Sequence, residues 1–304
     1  MTTALKSLVK DSLLRAGHYA RVLKQAKLPG VAVLCYHGVR DDSLADGSIP
    51  FQYLHIRAST FESHCRVVRE CCAPISLDDW RASISGGSAL PERPVLMTFD
   101  DGYRSVLTRG APILATYRIP AAVFVCTGPM VTRRRLWFDD VAEREGEASV
   151  EAWKSRDHQA WVAACATTSP LDESDPRALM TPEELAKLAC AGVIEIGGHT
   201  VRHPILAHAP ASEQRLEIEE NLRSIQQWIG KPVRAFAYPN GRPGIDYNAD
   251  TVAILRKAGI DMAFTTREEF ARPDEPPLER SRFLMLDTLS ASEVAHRLAY
   301  SWPR

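Results

Sequence analysis

Two short segments of this chain hold side chains whose types and spacing could do chemistry. Thr98-Phe99-Asp100-Asp101-Gly102-Tyr103 places two adjacent carboxylates at the end of an apolar run, Val95-Leu96-Met97. His199-Thr200-Val201-Arg202-His203 places two imidazoles four residues apart. One Asp with two His makes a metal site that keeps open positions for water, and a second Asp beside them can take that water's proton. A metal, a water and a base are the parts of a hydrolase.

Backbone geometry restricts how these groups can meet. Neighbouring side chains on a strand point to opposite faces, so Asp100 and Asp101 reach one point only if the strand ends there and the chain turns. Gly102 supplies the freedom for that turn. His199 and His203 share a face if the segment is one helical turn, whereas Pro204 argues for a single turn or a loop over a longer helix. Taken singly, Asp-Asp-Gly reads as a turn and the His pair as solvated imidazoles. Both segments follow short β-type runs, Val95 to Phe99 and Val193 to Ile196, which places both at strand C-terminal ends. Barrel and α/β enzymes carry their chemistry there, and the combination favours a site.

The elements that must position these groups alternate along the chain. Strand expectations are Val31 to Tyr36, Pro74 to Leu77, Val95 to Phe99, Ala121 to Cys126, Val193 to Ile196, Arg234 to Tyr238, Met262 to Thr265 and Phe283 to Leu286. Ser59-Thr60-Phe61-Glu62 and Thr181-Pro182-Glu183-Glu184 are capping boxes, the second with Pro at the first helical position. Residues 212–229 are strongly helical, and Ser290-Ala291-Ser292-Glu293 opens a last helix. Eight β-type runs separated by helices predict an α/β fold, a parallel (β/α) barrel or a related sheet. The rhythm breaks at about 128–180, too long for an ordinary βα loop, which reads as a mostly helical insertion beside the active face.

The 304 residues carry a net charge of -1, which predicts no general attraction to nucleic acid. The seven cysteines include no Cys-x-x-Cys pair, which fits reduced thiols of a cytosolic protein. No run approaches the roughly 20 apolar residues of a membrane span, and no signal peptide is visible, so a cytoplasmic location is expected. Residues 4–27 read as one basic amphipathic helix within a segment 1–28, with Leu5, Leu8, Val9, Leu13, Ala16, Ala20 and Leu23 at helical spacing. Packing on the domain at 29–304 is the expectation; peripheral contact with the inner membrane face or a lipid-linked substrate is the alternative.

The two chemical segments resemble the first two motifs of the NodB-like polysaccharide deacetylases. Phe236-Ala237-Tyr238-Pro239-Asn240-Gly241 is similar to their third. Val33-Leu34-Cys35-Tyr36-His37-Gly38-Val39 resembles the circularly permuted branch that deacetylates bacterial exopolysaccharides. The resemblance runs from about Val31 to Leu286 and implies a distorted (β/α) barrel. It further implies that Asp101, His199 and His203 bind a divalent metal, usually Zn2+, with Co2+, Ni2+ or Mn2+ as alternatives. It implies that Asp100 is the general base, that His37 is the general acid, and that the Asn240 backbone N–H helps hold the oxyanion. Two departures stand out. The Arg usual in the third motif is Ala237 here; Arg280 or Arg282, before the last apolar run, could replace it, with Arg282 preferred. The usual C-terminal Leu-x-His is absent, which shifts the acid to His37.

Three functions remain open from sequence: removal of an N-acetyl group from an amino sugar in a bacterial glycan or glycan precursor, removal of a formyl or other small acyl group by the same site, and a carbohydrate- or metal-binding module without catalysis. The lost Arg keeps the third alive. Asp139, Asp140 and the tryptophans of the 128–180 stretch are candidates for substrate contact; Trp137 could stack on a sugar face, although core packing is the commoner place for any one Trp.

Overall fold

The eight apolar runs all contribute strands to one parallel sheet in the computed structural model, which describes residues 3–156 and 158–300. In chain order the strands are β1 Ala32–Tyr36, β2 Gly38–Arg40, β3 His55–Arg57, β4 Ala73–Pro74, β5 Pro94–Phe99, β6 Ala121–Val125, β7 Ile194–Gly198, β8 Ala235–Ala237, β9 Met262–Phe264 and β10 Phe283–Leu284. The sheet runs β10-β1-β5-β6-β7-β8-β9, with β4 beside the start of β5. Arg280 bridges to Phe264 of β9 while β10 pairs with β1, so residues 280–284 join the two ends of the path. The expected distorted (β/α) barrel is therefore present. Only the two-stranded β2–β3 sheet was not expected.

Side chains alternate across the curled sheet. Leu34 and Tyr36 of β1 and Met97 and Phe99 of β5 pack outward into the larger core under the helices. Val33, Leu96, Ala122, Phe124, Ala237 and Phe264 fill a smaller core inside the curl. Cys35, Thr98 and Asp100 continue that inner face toward the strand C-terminal ends. Gly197 of β7 makes the interior fit: a Cβ there would stand 2.4 Å from Phe124 Cδ1 and 2.8 Å from the Ala235 carbonyl oxygen.

Several local expectations change. Ser59 does not cap its helix. Helix Ala58–Cys71 starts one residue earlier, and Asp42 accepts from both the Ser59 amide and hydroxyl. The strand expected at Pro74 to Leu77 stops at Pro74, because Ser76 caps helix Leu77–Ile84 in a capping box with Asp79. The Thr181 box forms as expected. The single helix expected over 4–27 is two helices, Thr3–Arg15 and His18–Gln25, broken at Gly17 with φ +65. Tyr19 and Leu23 bury in the larger core, while Leu5, Leu8 and Val9 stay exposed. Asp11, His18 and Tyr19 bond to Ser292, Tyr300 and His296 of helix Ala291–Tyr300. Within 128–180 lie helices Trp137–Glu145, Glu147–Lys154 and His158–Cys165. No helix among the described residues is long and apolar enough to cross a membrane.

Gly197→Ala should destabilise the fold by about 1–3 kcal/mol through overpacking against Phe124. Urea unfolding checks this; an unchanged midpoint would show that the interior is looser than described.

Candidate active site

The strand ends turn sharply where the chemistry is. Asp100 is buried at the tip of β5, and Asp101 takes a left-handed conformation with φ +71. Asp tolerates that region better than most residues. This turn sends the two neighbouring carboxylates to different partners. The His199–His203 segment is a loop and not a helical turn: Thr200 and His203 are left-handed, with φ +69 and +61.

Two side chains of helix Ala211–Ile229 hold that loop. Asn221 accepts from the His199 amide at 3.1 Å and donates to the carbonyls of Thr200 and Val125 at 2.6 and 2.9 Å. Glu217 accepts from the Val201 and Arg202 amides at 2.9 and 2.8 Å. Sequence reading missed both. Their signal is a pair of polar residues at i and i+4 on the face that also carries buried Gln214 and Ile218.

Asp101 Oδ1 stands 3.4 Å from His199 Nε2 and 3.6 Å from His203 Nε2. Donors about 2.1 Å from a tetrahedral centre are about 3.4 Å apart, so the three atoms match a metal's spacing. Asp101 Oδ1 is buried without a hydrogen-bond partner in the protein, as a ligand oxygen would be. His199 donates from Nδ1 to the Ala237 carbonyl at 2.7 Å, which aims Nε2 at the triangle; against burial, the Asp101 and Asp100 carboxylates raise His199 above its ordinary range, so a cation would bind Nε2 in place of a proton. Burial, then the His199 charge, pushes His203 down to about 3, so it is neutral at pH 7 and able to ligate.

Asp100 faces Arg282. The guanidinium donates to both carboxylate oxygens at 2.7 Å, and Arg282 is itself fully buried. Burial alone would raise Asp100, but the charges of Arg282 and His199 outweigh it and hold the carboxyl well below the usual range. Arg280 does not take this place; its guanidinium bonds to the Arg272 carbonyl and lies over Trp80. Cys35 Sγ is 3.5 Å from the second Asp100 oxygen.

A cleft of about 450 Å3 opens above these groups, lined by His37, Asp100, Asp101, His199, His203 and Asn240. His37 is half-buried, with Nδ1 unpartnered in the protein. Asn240 is left-handed with φ +54. Phe51, Tyr53, Trp137 and Phe138 give the cleft an aromatic wall. Trp137 also donates to the His203 carbonyl at 2.8 Å, which fastens the 137–145 helix to the site. The expectation for Asp139 and Asp140 is corrected. Both are buried away from the cleft, Asp139 accepting from Tyr103 at 2.9 Å and Asp140 from the Ser169 amide at 2.9 Å and Arg144.

The polysaccharide deacetylase family pattern matches residues 87–263, more than half of the chain, and the protein belongs to that family. Poly-beta-1,6-N-acetyl-D-glucosamine N-deacetylase of Escherichia coli strain K12 is 24% identical over 328 residues, covering 98% of this chain. The chain spans only 43% of that relative's length. Among solved structures, IcaB from Ammonifex degensii superposes with a TM-score of 0.65 at 22% identity, over 90% of this chain and 99% of that one. The Streptococcus pyogenes deacetylase PplD, in complex with acetate, also gives 0.65, at 19% identity and the same coverage. These two confirm the fold.

Removing Arg282 would leave a buried carboxylate unpaired, and Arg282→Met should cost about 3–5 kcal/mol at pH 7. The Asp100 pKa is depressed on folding, so the pair contributes fully above the unfolded value of about 3.9 and loses that contribution as pH falls below it. The stability gap between wild type and variant should shrink as pH drops below about 4. A gap independent of pH in urea titrations would contradict the ionised pair.

Proposed function

We propose that this chain is a metal-dependent amide hydrolase that removes N-acetyl groups from an amino-sugar polymer of the β-1,6-linked N-acetylglucosamine class. The observation that carries the reading is the Arg282-clamped Asp100 beside the Asp101–His199–His203 donor triangle, both at the floor of one open cleft. The name of the Escherichia coli relative supports the substrate class.

Asp101, His199 and His203 would hold the cation, with Zn2+ favoured by the nitrogen and carboxylate donors and Co2+, Ni2+ or Mn2+ as substitutes. A cation held by these three side chains would supply Lewis-acid activation of water and of the amide carbonyl. Asp100, ionised throughout the physiological range, accepts the proton of the attacking water. Arg282 keeps both its oxygens oriented and prevents it from becoming neutral by burial. His37, which lines the same cleft close to Asp100, donates to the departing amine, which is too basic to leave unprotonated. The backbone N–H of Asn240, on a left-handed turn that lines the cleft, would stabilise the developing oxyanion. The non-catalytic reading rested on the missing third-motif Arg, and Arg282, just before β10, makes a bidentate bond to Asp100 in its stead. A formyl group would fit the same chemistry, so the acid released decides between the two.

Metal-loaded protein should release acetate from β-1,6-linked N-acetylglucosamine oligomers faster than it releases formate from their N-formyl counterparts. Asp100→Asn should lose about 10²–10⁴-fold in kcat while still binding one metal. Formate release from the N-formyl oligomers without acetate release from the N-acetyl ones, or undiminished activity in the variant, would overturn the assignment.

A second proposal concerns the exposed Leu5, Leu8 and Val9 beside Lys6 on the first helix. Apolar side chains next to basic ones suit peripheral contact with anionic lipid. Wild type should cosediment with phosphatidylserine vesicles and Leu8→Asp should not; equal partitioning of both would rule the contact out.

A further inference from the structure

The catalytic reading uses Asp100 and His37 but leaves the Cys35 thiol beside them without a task. Cys35 lies on the inner face of β1, only 1% exposed, with Sγ 3.5 Å from Asp100 Oδ2. One donor atom each from Cys35, His37 and Asp100 lies within 4.8 Å of the other two. His37 Nδ1 is a buried ring nitrogen with no partner in the protein. Sulfur, imidazole nitrogen and carboxylate oxygen thus converge next to the Asp101–His199–His203 triangle without sharing a residue with it.

We propose that Cys35, His37 and Asp100 form a second cation site for a thiophilic divalent ion, and that filling it switches the enzyme off. The donor set is softer than that of the first triangle. It favours Zn2+, Co2+ or Cd2+ and discriminates against Mg2+, Ca2+ and Mn2+, which prefer oxygen. On binding, the Cys35 S–H bond breaks, its proton passes to solvent and an S–metal bond forms; nothing is oxidised or reduced. The incoming cation takes the place of the proton that the thiol already points at Asp100. Two features make this site the weaker of the two. Burial pushes the Cys35 thiol well above its ordinary range, and the Arg282 guanidinium beside Asp100 repels a further positive charge. The site therefore fills after the first one, at excess metal. Its occupation engages the groups assigned as base and acid together. The shut-off, though not the binding, rests on the function proposed above.

The test is a Co2+ titration of the metal-free protein followed by near-ultraviolet absorption and, in parallel, by acetate release. Wild type should show a thiolate-to-cobalt charge-transfer band that grows with the second equivalent, as acetate release falls. Cys35→Ser and Cys35→Ala keep the other six cysteines. Both should bind the first equivalent, which also reports folding, and show no band. Both should need at least about tenfold more Co2+ for the same inhibition. No band in wild type, or a band that survives in both variants, overturns the site. A band lost in the variants while activity ignores the second equivalent overturns the shut-off. A band with no acetate release from singly loaded protein supports the site and overturns the activity reading instead.

Discussion

The buried pair of Asp100 and Arg282 is the constraint around which this molecule is arranged. An ionised carboxylate inside a barrel is strongly disfavoured unless a cation and hydrogen bonds meet it. Arg282 meets both oxygens and is itself held by the Thr265 carbonyl at 2.9 Å, with the rings of Phe124 and Phe264 on its faces. That packing explains why the interior of the curl must be apolar and close below the site. It also explains why Gly197 yields its side-chain volume to Phe124. The inner core acts as a socket for the guanidinium, and the guanidinium fixes the carboxylate.

The other half of the site is built on a different principle. Asp101, Thr200, His203 and Asn240 all adopt left-handed backbone without being glycine. Such residues cost of order 1 kcal/mol or more each and persist only when their surroundings over-determine them. Here Asn221 and Glu217 do that from a single helix, clamping the histidine loop through its amides and carbonyls. The Asp101–His199–His203 triangle is aimed by backbone conformation, whereas Asp100 is aimed by charge.

Much of this was legible in the sequence. The strands were visible because each is a short apolar run bounded by turn residues, and the Asp pair and His pair fell at their ends. The choice between Arg280 and Arg282 was not legible. Neither lies within a strand: Arg280 makes a single bridge to Phe264, Arg282 immediately precedes β10, and the pairing of β10 on β1, Leu34 against Phe283, brings Arg282 to Asp100. The cap of helix Ala58–Cys71 was misread because Asp42 reaches it from a separate loop. The break at Gly17 was hidden because apolar spacing continues across it. β2 and β3, three residues each, are too short to show a period.

The closure of the sheet by residues 280–284 has a consequence for biosynthesis. Of the sheet strands, β10 leaves the ribosome last, carrying Arg282 with it, whereas Asp100 and the three convergent donors are made earlier. During synthesis the nascent barrel therefore holds a carboxylate that no guanidinium yet neutralises, and that half of the site stays open to water. The donor triangle can assemble while the chain is still growing. The base is completed only when the final strand slots between β9 and β1. Order of synthesis thus separates the donor triangle from the Asp100–Arg282 pair, a sequence written into topology.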